Sequence, residues 1–225
     1  MKQIKTRDHS YTFYSSEYQE TYHSISGALE EAFKKFVGPC KIKELAKKGK
    51  IRILDICFGL GYNSVAAIYT ALKENSDCKI EIIALEKDKK ILKKLQEIKL
   101  PPKLEFYYRN IKEKLNNDKF ELNISNNVYI KIILGDATKT IKTLTKKFDA
   151  IFLDPFSLPK NPELWTYEFF KNIKKVIKKD AILATYSCAK KVRENLVRDG
   201  FRVKDGPKIG RKAPSTIAYL DNATP

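Results

Sequence analysis

What is scarce in this chain narrows it first. Among 225 residues there are four cysteines and two histidines. Cys40, Cys57, Cys78 and Cys188 are scattered, with no Cys-x-x-Cys pair. That spacing argues against a zinc site, so no metal is expected, and reduced thiols are. No apolar run reaches the 18 or so residues that a membrane span needs, and the N-terminus lacks an apolar signal region. The expected location is cytoplasmic, with no membrane partner. There are no internal repeats, and no Pro/Ser-rich linker divides the chain. Acid is the scarce charge: 27 Asp and Glu stand against 44 Lys and Arg, a net charge of +17. Such an excess attracts polyanions, nucleic acid foremost. Heat-adapted chains also gain lysine, but they add both signs together. The excess here is one-sided, so RNA is the expected partner.

What is there is a core, 43% hydrophobic, arranged as alternating strand and helix patterns. The stretch from Ile51 to Ser64 organises the rest. An apolar run containing Asp55 turns through Gly59 and Gly61 and opens onto Val65, Ile68, Tyr69 and Leu72 at helical spacing. That is strand, tight turn and helix, the first unit of a nucleotide-binding sheet. Asn63 or Ser64 is placed to cap the helix. Ser64 also holds the place of the third glycine of the dinucleotide fingerprint, which argues against NAD and FAD.

Further strands are expected at Lys79–Leu85, Val128–Leu134, Phe148–Leu153 and Ala181–Tyr186, with a last pair at Phe201–Val203 and Ser215–Leu220. A basic loop, Lys208-Ile209-Gly210-Arg211-Lys212, joins that pair. Tyr11 to Tyr14 suggests a small hairpin outside the main sheet. Helices are expected from near Ser26 to Gly38-Pro39, over Ile91 to Ile98 before Pro101-Pro102, over 163–179 with a lysine ridge outward, and from Ala189 to Arg198. Residues 41–50 read as a basic linker, and 103–127 as a short helix with a polar loop. The economical fold is α/β: a Rossmann-like, mostly parallel seven-stranded sheet with helices on both faces. Residues 1–45 are expected to cover the pocket of a domain spanning 46–225.

Four strands end in acids: Asp55, Glu86, Asp136 and Asp154. In an open parallel sheet these ends share one rim, where ligands bind. A ligand with ribose hydroxyls, an amine and a base suits such a set. S-adenosylmethionine fits better than NAD, because no pyrophosphate cradle is present. Asp154-Pro155-Phe156 resembles the Asp/Asn-Pro-Pro-aromatic motif of amine methyltransferases. There an oxygen and a carbonyl hold the nitrogen while the ring packs on the base.

The run from Phe152 through Asp154-Pro155-Phe156-Ser157 to Asn161-Pro162-Glu163-Leu164-Trp165-Thr166 resembles the signature of the MnmC-type tRNA wobble-uridine methyltransferases. Phe58-Gly59-Leu60-Gly61-Tyr62-Asn63, Gly135-Asp136, Glu20-Thr21-Tyr22-His23-Ser24 and Gly27-Ala28 agree with it, as do Gly200-Phe201-Arg202-Val203 and Gly210-Arg211-Lys212. The resemblance spans about residues 9 to 220. It implies a class I S-adenosylmethionine-dependent methyltransferase fold and N-methylation of 5-aminomethyl-(2-thio)uridine in the tRNA anticodon region. Pro155 departs from the Asp-Gly often found there. No flavin oxidase domain, which many members carry, is seen, so another enzyme is expected to supply the aminomethyl group.

On that resemblance Asp154, Pro155 and Phe156 are the expected catalytic residues. The expected cofactor residues are Tyr22, Gly27, Asp55, Phe58, Gly59, Gly61, Asn63, Glu86, Asp136, Ala137 and Asp154. Glu86 is assigned to the ribose, Asp136 to the adenine amino group, and Gly59 and Gly61 to the methionine end. Lys160, Lys171, Lys174, Lys175, Lys208, Arg211 and Lys212 are expected on tRNA phosphates. A polyamine aminopropyltransferase would share the fold and rim acids, but a small cation gives no reason for the basic C-terminal half. A non-catalytic RNA-binding protein on the same fold is opposed by the intact acids.

Overall fold

A computed structural model describes residues 1–117 and 119–220. Three short strands come first, β1 (Lys2–Lys5), β2 (Tyr11–Ser15) and β3 (Glu20–Thr21), paired antiparallel in a small sheet of their own. The hairpin expected here is thus extended by one strand. α1 (Ala28–Glu31) runs directly into a π-helical stretch, Ala32–Val37, where the Gly38 N–H reaches back five residues to the Phe33 carbonyl at 2.9 Å. The segment read as a linker instead holds α2 (Ile42–Ala46). Ile42 and Ala46, one helical turn apart, are both buried in the core, and their burial decides the matter over the lysines around them.

The main sheet and its helices follow: β4 (Lys50–Ile56), α3 (Tyr62–Glu74), β5 (Lys79–Glu86), α4 (Lys89–Lys94), α5 (Pro102–Asn116), β6 (Glu121–Ser125) and β7 (Val128–Leu134). Then come α6 (Ala137–Thr140), β8 (Phe148–Leu153), a 3₁₀ turn at Pro162–Trp165, α7 (Tyr167–Val176), β9 (Ile177–Thr185), α8 (Lys190–Arg198), β10 (Phe201–Asp205) and β11 (Thr216–Leu220). Among the described residues the sheet has eight strands, in the order β10-β11-β9-β8-β4-β5-β7-β6. The β9-β8-β4-β5-β7 centre is parallel, and β6, β10 and β11 pair antiparallel.

Seven strands were expected, and β6 is the eighth. Its apolar residues, Leu122 and Ile124, alternate with Glu121, Asn123 and Ser125, so a half-buried edge strand hides in a polar segment. Before it, Pro102 starts α5 instead of ending a helix, and Leu104, Tyr108, Ile111 and Leu115 form its buried stripe. The helix expected over 163–179 stops at Val176, because Ile177 already belongs to β9. Residues 221–225, the end of the expected 46–225 domain, lie outside the described residues.

The central strands are apolar on both faces, as parallel strands covered on two sides must be. Ile51, Ile53, Ile82 and Phe152 face a core shared with α2, α3 and α5. Leu54, Ile56, Ile151 and Leu153 face a second core with α7 and α8. The chain runs outward from β4 to β5 and β7, then returns to β8 on the other side. The strand order therefore switches between β4 and β8, the place where an open sheet leaves a crevice.

Candidate active site

The turn after β4 is built on left-handed backbone. Cys57, Gly59 and Gly61 have φ of 67°, 55° and 72°. At Gly61 a Cβ would stand 2.7 Å from the Phe58 ring, so only glycine fits. Neither Asn63 nor Ser64 caps α3, whose N-cap is Gly61 with no side-chain bond. Ser64 Oγ instead donates to Asp55 Oδ2 at 2.6 Å, and Asn63 Nδ2 donates to Asp154 Oδ2 at 2.9 Å. The two side chains thus lace the start of α3 to strand-end acids.

The other acids are fixed in different ways. Glu86 is buried and accepts three backbone N–H bonds of 2.7 Å, from Gly59 on Oε2 and from Lys87 and Asp88 on Oε1. Burial raises its pKa and those amides oppose the rise. Asp136 caps α6 through Oδ1, taking the Thr138 N–H at 2.9 Å and its hydroxyl at 2.7 Å, and these bonds lower its pKa. Asp154 ends β8 with its N–H on the Ile56 carbonyl at 3.1 Å. Burial, then the Glu31 charge, push its carboxyl up to about 7 against the Asn63 bond and Lys35. Asp55, wholly buried, is pushed up to about 8 by desolvation.

These elements enclose a cavity of about 320 Å³ at the switch point, within the usual size range of ligand pockets. Tyr22, Phe58, Gly59, Glu86, Asp136, Ala137, Asp154, Pro155 and Phe156 line it, as do Tyr18, Glu20, His23, Glu31, Lys35, Cys57 and Tyr186. Acids outnumber bases on its wall, although the protein as a whole carries +17. Four expected cofactor residues are not on the wall. Asp55, Gly61 and Asn63 stand behind it in the turn and α3, and Gly27 begins α1 with the Asp8 carboxylate packed where a Cβ would be.

The loop after Asp154 is held from three sides. The Phe156 N–H donates to Asn161 Oδ1 at 3.0 Å, and Trp165 Nε1 donates to the Phe156 carbonyl at 2.9 Å. Ser157 donates its N–H, at 3.1 Å, and its hydroxyl to the Glu20 carboxylate. The Asn161 and Trp165 block therefore has a mechanical role: it fixes the aromatic step. Tyr18 stacks on Phe156 with ring centroids 4.4 Å apart at 20°, and Tyr22 meets it edge-on at 4.9 Å.

The expected RNA cations do not form one group. Lys171 and Lys175 lie exposed on α7, and Lys208 and Lys212 lie exposed in the loop before β11. Lys160 is half-buried. Lys174 is exposed, yet its ammonium bonds the Asp199 carbonyl at 2.5 Å. Arg211 is on the cavity wall, its guanidinium over the Tyr186 ring at 5.8 Å and bonded to the Tyr186 carbonyl. Sequence reasoning passed over Glu31 and Lys35, an ion pair on this wall. One more lysine in a lysine-rich helix carries no signal of burial. His23 is also here, and burial holds it at about 4, hence neutral at pH 7.

The reversed strand order, the glycine turn and the strand-end acids define the class I S-adenosylmethionine-dependent methyltransferase fold. Residues 99–221 match a model of the S-adenosyl-L-methionine-dependent methyltransferase family, and the chain belongs to that family, with S-adenosylmethionine as cofactor. It is similar over its whole length to the crystal structure of MnmC2 from Aquifex aeolicus, with 40% identity, a TM-score of 0.87 and 72% of that chain covered. An uncharacterised protein of Methanocaldococcus jannaschii is 32% identical over 96% of this chain and 58% of its own length. The tRNA 5-methylaminomethyl-2-thiouridine biosynthesis bifunctional protein MnmC of Leptospira interrogans is 28% identical over 92% of this chain. The match covers 34% of that protein, so the chain spans about a third of the bifunctional relative. Among the described residues no group of metal-binding side chains occurs, and no helix is long and apolar enough to cross a membrane.

Proposed function

We propose that this methyltransferase N-methylates 5-aminomethyl-(2-thio)uridine at the wobble position of tRNA, giving 5-methylaminomethyl-(2-thio)uridine, in the cytoplasm. One observation carries the reading: a half-buried carboxyl raised to about 7, Asp154, beside an aromatic shelf, Phe156, in an acid-walled cavity of a basic protein. The basic exterior suits a polyanion, while the acidic cavity suits cations. A protonated alkylamine on an RNA answers both.

S-adenosylmethionine, when bound, supplies a methyl group on an electrophilic sulfonium. The residues present fit that cofactor. Glu86 has its carboxylate held in place by three amides, ready for ribose hydroxyls. Asp136 has one oxygen engaged by Thr138 and a second for the adenine amino group. Gly59 gives a ligand access to the turn backbone. Residues 1–45 serve as a cover, with Tyr22 closing the pocket.

An alkylamine is mostly protonated at neutral pH, with lysine's pKa of about 10.4 as guide. Its lone pair must be freed before it can attack. Asp154 accepts a hydrogen bond from the ammonium and takes its proton, a transfer that a pKa near the working pH favours. Asn63 holds the carboxylate, the Pro155 carbonyl adds an acceptor, and Phe156 packs on the uracil. Lys171, Lys175, Lys208 and Lys212 meet phosphates. The test is to incubate the protein with S-adenosylmethionine and tRNA carrying 5-aminomethyl-uridine, then analyse the wobble nucleoside by mass spectrometry. A gain of one methyl group on the aminomethyl nitrogen supports the reading. An unmodified nucleoside, with cofactor binding intact, overturns it.

A further inference from the structure

Glu31 and Lys35 form an ion pair with side chains only 12% and 3% exposed. One ends α1 and the other lies in the π-helical stretch that continues it. Burying two charges costs several kcal/mol even when they pair, and an apolar pair of equal size often does as well. The pair is therefore a poor stability device. It is on the wall of the cavity that holds Asp154, and π-helical turns gather at functional sites. Glu31 Oε2 is fixed by the Ser24 N–H at 2.8 Å, so the carboxylate does not swing.

We propose that the Glu31–Lys35 pair is a positioning element for Asp154 that sets the pH at which this carboxyl releases its proton. Its two members pull in opposite directions. The Glu31 charge disfavours a second negative charge on Asp154, and the Lys35 charge favours it. Groups on other elements also interact with Asp154: Asn63 on α3 through its hydrogen bond, and Asp55 and Cys57 at the end of β4 and its turn and Tyr186 after β9 through charge. Asn63 carries no charge, and burial keeps Asp55, Cys57 and Tyr186 largely protonated at pH 7. On the pair's own side, His23 is neutral. The ionic control of Asp154 thus falls to Glu31 and Lys35, acting on a carboxyl that burial has already raised, with Glu31 the stronger of the two.

The inference rests on the reading that Asp154 handles the amine proton, but its test needs neither amine nor cofactor. The carbon-13 signal of the Asp154 carboxyl, assigned by its loss in Asp154→Asn, is titrated in the full chain. The wild type should show a midpoint near 7. Glu31→Gln should lower it by about one pH unit or more, and Lys35→Met should raise it by less. The double variant leaves no unpaired buried charge. It should titrate between the single variants and below the wild type, since Glu31 has the larger influence. A midpoint unmoved in the variants, or moved the same way by both single changes, overturns the inference. If a single variant does not fold, an unmoved midpoint in the double variant overturns it equally. A shifted midpoint without methyl transfer sinks the proposed reaction alone. Methyl transfer with an unmoved midpoint sinks this inference alone.

Discussion

Asn63 Nδ2 donates to Asp154 Oδ2 at 2.9 Å, tying the first turn of α3 to the end of β8. The bond crosses the switch point of the sheet, so the glycine turn and the Asp154–Ser157 loop keep one spacing. It also stabilises the charged form of Asp154, and burial leaves that carboxyl at about 7 even so. Asn63→Ala removes the donor. The Asp154 pKa should then rise by roughly one unit, because a hydrogen bond to a charged group contributes about 1.5 kcal/mol or more. The acid limb of the pH–rate profile should move to higher pH by the same amount. A limb that stays in place would show that the bond does not act on catalysis.

Glu86 is the residue proposed to take the ribose, and a substitution there tests that role. Its oxygens accept from Gly59, Lys87 and Asp88 N–H groups as well as facing the cavity. Glu86→Gln keeps the shape but turns an NH₂ group toward backbone donors. Cofactor affinity should fall about ten- to hundredfold, for a loss of roughly 1.5–3 kcal/mol. Isothermal titration with S-adenosylmethionine reads this directly. Unchanged affinity in a folded variant would place the ribose elsewhere.

Cys57 has a left-handed backbone with φ of 67° that glycine adopts freely. Cys57→Ala keeps the strain and loses the thiol contacts, while Cys57→Gly relieves the strain. The glycine variant should therefore be the more stable of the two by about 1 kcal/mol in denaturant unfolding. An alanine variant as stable as the glycine variant would mean that the turn relaxes on substitution.

Much of this architecture was legible because four of the five central strands are apolar runs with an acid at or just past the end. Asp55, Glu86, Asp136 and Asp154 stand out in the sequence for that reason, and three of them reach the cavity wall. Asp55 does not, because Ser64 draws it under the turn, a contact that residue types alone cannot reveal. The strand β6 was missed because Leu122 and Ile124 are its only buried apolar residues. α2 was missed because four lysines surround its two buried positions. The N-terminal wall was illegible for another reason. Tyr18 and Glu20 come from a short hairpin whose place is set by packing on the Asp154 loop, and Glu31 and Lys35 come from a helix that was expected but whose packing on α3 and β9, which turns them to the wall, was not.

Among the exposed cations, Lys175 bonds Asn172 Oδ1 at 3.2 Å on its own helix and Lys174 bonds the Asp199 carbonyl. Charge reversal at Lys171, Lys175, Lys208 and Lys212 should weaken tRNA binding and flatten the plot of log affinity against log salt, by roughly one unit per lost contact. Reversal of Lys174 should disturb the end of α8 as well, since its ammonium bonds the Asp199 carbonyl. A salt slope untouched by the four reversals would mark these lysines as a solvated face.

The most direct test of the account is single-turnover methylation of tRNA bearing 5-aminomethyl-uridine, by the wild type and Asp154→Asn, at saturating cofactor across a pH series. Asp154 has a pKa of about 7, raised by burial. Below that value it is protonated and cannot take the ammonium proton, so the wild-type rate should rise through pH 7. Asparagine keeps the size and one acceptor but has no proton to exchange. The variant should lose the break near pH 7 and run on the order of 10²–10⁴-fold slower there. It should recover part of the rate at high pH, where more of the amine is already neutral. Cofactor and tRNA affinity should change far less. A variant as fast as the wild type at every pH would contradict the assignment of Asp154 to the amine proton.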